Sequence, residues 1–143
     1  MKKLIQNINI FVDKRGTLSY SNDFDISKYK RCYHINHKTT DVLRAWQGHK
    51  IESKAFWITK GSFLLKYALV DNFCQVSKKL EFVTIELNYK MPKILKLPGG
   101  CINGFKAIEK NSSLMVFSSL DLEQSKKDDF RWDKKFFINV NWN

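Results

Sequence analysis

From Ala55 to Thr59, and again from Ser62 to Val70, the sequence repeats in steps of two. Phe63, Leu65, Tyr67 and Leu69 fall on one face, and Lys60-Gly61 supplies a tight turn between the two runs. This rhythm constrains the chain more than any other feature, because a period of two cannot form the apolar stripe of a helix. It recurs along the sequence. Ile8, Ile10 and Val12 precede a turn at Asp13-Lys14-Arg15-Gly16. From Lys30 to His37, Cys32 and His34 alternate with Tyr33 and Ile35. Glu81 to Leu87, Ile94 to Leu97, Ile102 to Ile108 and Leu114 to Ser118 complete the set. About eight short strands at even spacing predict an all-β barrel or jelly roll. One helix is predicted at Asp121-Leu122-Glu123-Gln124-Ser125, where an acidic first turn follows Ser118-Ser119.

The 143 residues fit a single domain, with no repeat, low-complexity tract or linker, and with only Pro92 and Pro98 as prolines. Hydrophobic content of 43 % and aromatic content of 14 % supply a core that favours pleated surfaces. No apolar run approaches the ~20 residues a membrane span needs, so no membrane partner is expected. Met1-Lys2-Lys3-Leu4 turns polar too soon for a secretory leader, and a cytoplasmic address is expected. The three cysteines, Cys32, Cys74 and Cys101, form no CxxC pair and are expected to be buried free thiols.

A net charge of +11 points to an anionic partner: nucleic acid, a membrane surface or a phosphorylated small molecule. The basic doublets Lys2-Lys3, Lys78-Lys79, Lys126-Lys127 and Lys134-Lys135 are dispersed, and no basic stripe with interleaved aromatics forms. A nucleic-acid partner is therefore not expected.

Two clusters concentrate the polar chemistry. The first is Arg44-Ala45-Trp46-Gln47-Gly48-His49-Lys50. On a strand, Gln47 and His49 share a face, and Arg44 can present a guanidinium fork to phosphate or carboxylate oxygens. The second is Leu97-Pro98-Gly99-Gly100-Cys101-Ile102-Asn103-Gly104-Phe105, whose proline and paired glycines form a barrel corner that precedes Asn103.

The spacing Gln47-x-His49, Gly61, then Pro98-x-Gly100-x-x-Asn103 resembles the two motifs of the cupins, single-domain jelly-roll barrels also described as double-stranded β-helices. Metal-binding cupins carry His-x-His and Pro-x-Gly-x-x-His at these positions. Gln47 and Asn103 replace two of the three histidines, and one histidine does not make a divalent-metal site, so no metal is expected. Within the cupins the chain resembles the RmlC-like sugar-nucleotide branch. Asp13-Lys14-Arg15-Gly16-Thr17-Leu18, Lys30-Arg31-Cys32-Tyr33, Arg44 to Lys50 and Asp129-Phe130-Arg131 are similar to motifs of dTDP-sugar 3,4-ketoisomerases. Pro98 to Phe105 is similar to a corner of the dTDP-4-dehydrorhamnose 3,5-epimerases.

The resemblance implies a cofactor-independent isomerase, ketoisomerase or epimerase, acting through an enediolate on a dTDP-linked 4-keto-6-deoxyhexose for surface-glycan synthesis. It also implies a homodimer. The family's first motif histidine is the base, and Gln47 stands in its place; an amide cannot take a proton at neutral pH. Three readings follow. His49 serves as sole base, with Gln47 holding a hydroxyl or oxyanion and Tyr33 carrying the second proton. Or His34 enters the pocket. Or the protein binds the sugar nucleotide without chemistry, as a sensor or partner subunit. Arg15, Arg44 and Lys50 are the expected phosphate ligands, and Asn103 is expected to bind substrate. Tyr20, Phe24 and Trp57 are candidates to stack on the base, whereas Arg131 and Trp132 are expected only to close the barrel end.

Overall fold

The computed structural model describes residues 4–143, so the Lys2-Lys3 doublet lies outside it. In chain order the strands are β1 (Ile5–Asn7), β2 (Asn9–Asp13), β3 (Gly16–Tyr20), β4 (Arg31–His37), β5 (Leu43–His49) and β6 (Lys54–Lys60). Then come β7 (Ser62–Leu69), β8 (Val83–Asn88), β9 (Lys93–Leu97), β10 (Cys101–Ala107), β11 (Ser112–Ser118) and β12 (Phe130–Arg131). A 3₁₀ turn spans Ile26–Lys28, and the α-helix α1 (Leu122–Lys126) falls where the acidic turn predicted it. Asp121 and Gln124 close it with a reciprocal capping box.

The strands form two five-stranded antiparallel sheets, β1-β9-β6-β11-β4 and β12-β5-β10-β7-β8, with β2-β3 as a separate hairpin. The expected all-β barrel is the observed architecture. Phe63 and Leu65 from one sheet meet Phe56, Leu95, Leu114 and Val116 from the other, all essentially inaccessible to solvent. Burying each such side chain contributes about 1.5–3 kcal/mol.

Both outer faces are partly clad. Ile8, Phe24 and Tyr29 cover Ala55, Ile94 and Phe117. The C-terminal residues Trp132, Phe136, Phe137 and Trp142 cover Trp46 and Ile102. The hairpin differs, because Phe11, Val12 and Leu18 remain 53 %, 67 % and 58 % exposed on it.

Two local features place the site. At the corner before β10, a Cβ on Gly99 would come within 2.7 Å of the carbonyl oxygens of Lys50 and Ile51. Only glycine lets the corner press against the loop that leaves β5. In β10 the register shifts between Asn103 and Phe105, so that Asn103 faces Gln47 and Phe105 faces Arg44. This bulge changes which residues of β5 face inward.

Candidate functional site

The interior of the barrel holds a cavity of about 510 Å³ between the sheets, within the usual range for ligand pockets. Tyr33 of β4 and Lys54 of β6 line it from one sheet, and Arg44 and Gln47 of β5 and Asn103 of β10 line it from the other. Arg31, Asp129, Arg131, Trp132 and Lys126 rim it. Five cationic side chains thus surround the space with one carboxylate, a balance that favours a polyanion such as a diphosphate.

Lys54 is the residue that sequence patterning missed. Its side chain is 7 % exposed, and burial pushes the ammonium pKa down to about 8, against the upward pull of Glu52. Its Nζ donates to Gln47 Oε1 at 3.0 Å, tying the two sheets together across the cavity floor. Gln47 Nε2 in turn donates to Asp129 Oδ1 at 3.0 Å, so the amide is fully oriented. Desolvation raises the Asp129 pKa, but hydrogen bonds from Gln47 and Arg131 outweigh it and hold the carboxyl below its ordinary range.

Behind Lys54 lies a buried ionic layer. The Glu52 carboxylate is inaccessible, and accepts from Arg31 Nη2 at 3.1 Å and from the Ser118 hydroxyl. Lys54 Nζ stands 3.9 Å from its other oxygen. Asp128 anchors the loop that carries Glu52, accepting from the backbone N–H groups of Lys50, Ile51 and Glu52 at 2.8, 2.9 and 2.8 Å. Such a carboxylate nest fixes a segment that has no ladder of its own.

His49 belongs to this layer and does not line the large cavity. Its Nδ1 donates to the Asp128 carbonyl at 2.6 Å and lies 3.0 Å from Glu52 Oε2. Its Nε2 is buried without a partner, and the residue lines a small space with Lys54 and Asn103. Desolvation, with help from Lys54, lowers the His49 pKa, so the ring is neutral at pH 7. The expected base His49 thus stands one layer behind the side chains that line the large cavity.

Three other expected site residues lie outside this cavity in the single chain. His34 alternates with Tyr33 and Ile35, points to the outer face, and reaches Thr59 Oγ1 at 3.2 Å. Lys50 lies outside the cavity, its Nζ 5.0 Å above the Phe130 ring. Arg15 sits at the hairpin turn with its side chain 80 % exposed and pairs with Asp13. The stacking candidates Phe24 and Trp57 pack on the outer face, whereas Trp132 and Arg131, expected only to close the barrel, line the cavity.

Tyr33 meets the cavity with a phenol whose pKa burial raises, so the hydroxyl keeps its proton. The Arg31 guanidinium lies 5.4 Å from its ring centre. Among the described residues, no group of three or more His, Cys, Asp or Glu side chains converges as a metal set. No helix among them is long and apolar enough to cross a membrane.

No protein-family model and no curated sequence matches the chain. Solved structures do. A sugar 3,4-ketoisomerase from Thermoanaerobacterium thermosaccharolyticum, QdtA, in complex with TDP, superposes with a TM-score of 0.68 at 21 % identity, over 94 % of this chain and 90 % of that one. A TDP-quinovose 3,4-ketoisomerase from Campylobacter jejuni, WlaRB, gives 0.67 at 20 % identity, over 94 % and 96 %. The Mycobacterium tuberculosis rmlC epimerase gives 0.75 at 14 % identity, over 96 % and 72 %.

Proposed function

We infer that this chain, which has the fold of the RmlC-like sugar-nucleotide cupins, binds a dTDP-linked 4-keto-6-deoxyhexose and isomerises it through an enediolate. The observation that carries the reading is the place of Lys54: a buried amine on the wall of a cation-rimmed cavity of about 510 Å³, hydrogen-bonded to Gln47, where burial pushes its pKa down to about 8. A base poised near the working pH is what proton abstraction beside a ketone requires.

The roles follow from the geometry. The cationic rim, with Arg44 and Arg131 as guanidinium forks, takes the diphosphate. The substrate ketone acidifies the proton on its neighbouring carbon. The neutral Lys54 amine removes that proton, and the electron pair moves to the carbonyl oxygen, giving an enediolate. Tyr33, protonated on the same sheet, donates toward the developing oxygen charge. Gln47 and Asn103 hold hydroxyls from the facing sheet. Return of the proton to the former carbonyl carbon, with the neighbouring hydroxyl's proton passing to the former carbonyl oxygen, completes a 3,4-keto exchange. Return to the original carbon on the opposite face gives an epimer. The sum is an isomerisation, with no co-reactant.

Proton NMR of TDP-4-keto-6-deoxyglucose with the purified protein tests this reading. New ring-proton signals of a 3-keto isomer or an epimer are expected. Unchanged substrate with TDP-competed line broadening would instead favour a binder without chemistry, a reading that the absence of a proton-accepting side chain at Gln47 supports.

The partner that best fits the hairpin is a second copy of this chain. An isolated two-stranded ribbon is marginal in water, and Phe11, Val12 and Leu18 leave its apolar surface uncovered. Sedimentation of the wild type as a dimer, and of a Val12→Asp/Leu18→Asp variant as a monomer, is expected. A monomeric wild type contradicts this assembly.

A further inference from the structure

We propose that His37 is a positioning residue: its neutral ring, sealed in the barrel, holds Arg44 by the guanidinium Nε and leaves the two terminal nitrogens to clasp a diphosphate. The proposal rests on the sugar-nucleotide reading of the cavity and gives that reading a specific anion clamp.

The parity of β4 sets it up. Tyr33, Ile35 and His37 share the inward face, so the histidine that enters the barrel is His37 and not His34. His37 is 2 % exposed, and its ring stacks 5.9 Å from Phe105 and meets Phe63 edge-on at 5.4 Å. This aromatic box leaves the imidazole one polar neighbour at hydrogen-bond distance. Arg44 Nε donates to His37 Nε2 at 3.0 Å. Nε2 must then carry the lone pair, which places the ring proton on Nδ1.

That tautomer has a cost. Nδ1 is buried and has no partner, so its N–H is left without an acceptor. A residue retained only for packing at this position would avoid the penalty. The arrangement instead serves Arg44, which lines the cavity. A guanidinium free to rotate must be ordered when a ligand arrives. One gripped from behind at Nε keeps both terminal nitrogens toward the cavity, in the fork that matches two phosphate oxygens.

The contact also responds to pH. The elements packed around His37 present Arg44 from β5, Phe63 from β7, Phe105 from β10 and Ser112, its register partner, from β11. Among the described residues, Arg44 is the charged group that bears on the ring. Burial first, and Arg44 second, hold its pKa below the usual histidine value. Above that value the ring accepts. Below it, an Nε2–H faces the Arg44 N–H and the grip is lost.

Two measurements test the proposal. In the ligand-free protein, ¹⁵N NMR of the imidazoles should show His37 as the neutral Nδ1–H tautomer at pH 7. Its pKa should rise in Arg44→Gln. An Nε2–H tautomer, or a pKa indifferent to Arg44, overturns the proposal. TDP titrations by calorimetry between pH 5 and 8 supply the functional readout. His37→Phe should weaken TDP binding roughly tenfold at pH 7. His37→Gln, which retains an acceptor, should recover most of that loss. It should also lack the extra decline in affinity that the wild type shows at low pH beyond the titration of TDP itself. Wild-type affinity in His37→Phe overturns the positioning role. If the wild type does not bind TDP at any pH, the sugar-nucleotide reading fails, and the NMR result alone decides whether His37 orients Arg44.

Discussion

The two ends of the barrel interior are built from the same strands and solve opposite problems. At one end Phe63, Leu65, Leu87, Leu95 and Leu114 fill the space between the sheets with apolar atoms. At the other end β5 and β6 carry Gln47, His49 and Lys54 inward, and the loop between them buries Glu52. The apolar end gains free energy from every side chain it removes from water. The polar end loses free energy on desolvating each ion, and recovers part of it through the Arg31–Glu52 pair and the Asp128 nest. A fold needs only the first. The second gives the proposed chemistry a desolvated amine, its pKa pushed down to about 8 by burial.

The sharpest way to break this comparison is a cavity at the apolar end. Leu114→Ala should lower stability by about 3 kcal/mol in chemical denaturation. The TDP affinity of the folded protein should stay unchanged, since Leu114 is absent from the pocket wall. A large loss of affinity would show that the ends are not separate. Asp128→Asn keeps the side chain's shape but halves its capacity to accept from the three amides, and should cost about 2 kcal/mol of stability. Because the loop carries Glu52, this variant should also slow turnover, which Leu114→Ala should not. The smallest effect is expected of Gln47→Ala. It removes an orienting partner of Lys54 but not the amine, and turnover should fall by roughly tenfold. Complete inactivation would show that Gln47 does more than orient the Lys54 amine.

Much of the barrel was legible because its strands alternate. The turn at Gly61 and the Pro98-Gly99-Gly100 corner punctuate it, and both lie where the sequence placed them. The strand Gly16–Tyr20 was less legible. It pairs only with β2 and has no buried face to imprint a pattern, so Leu18 remains exposed. Arg44, Gln47, Asn103 and Tyr33 were marked by motif spacing, and all four line the cavity. Lys54 was not marked, because one lysine among 25 basic residues looks like surface. The signal was present in the alternation: extending the Ala55 to Thr59 strand by one residue puts Lys54 on the inward face with Phe56 and Ile58. The same parity separates His34 from Tyr33, since neighbours on a regular strand such as β4 point to opposite faces. The side of the barrel on which His49 stops was not legible. It depends on Asp128, distant in sequence, drawing the ring back through its carbonyl.

In the proposed reaction the Lys54 amine removes a proton from a bound keto-sugar. The most direct measurement is deuterium exchange into TDP-4-keto-6-deoxyglucose in D₂O, followed by NMR against pH, with wild-type protein and with Lys54→Met at matched TDP occupancy. The wild type should exchange a proton beside the ketone at a rate that rises with pH and levels off above about 8, as the ammonium becomes the free amine. Lys54→Met should bind TDP yet exchange about 10²–10⁴-fold more slowly. Exchange by Lys54→Met at the wild-type rate would contradict the account, as would a wild-type rate that falls as pH passes through 8, which would mark Lys54 as an acid or a charge holder.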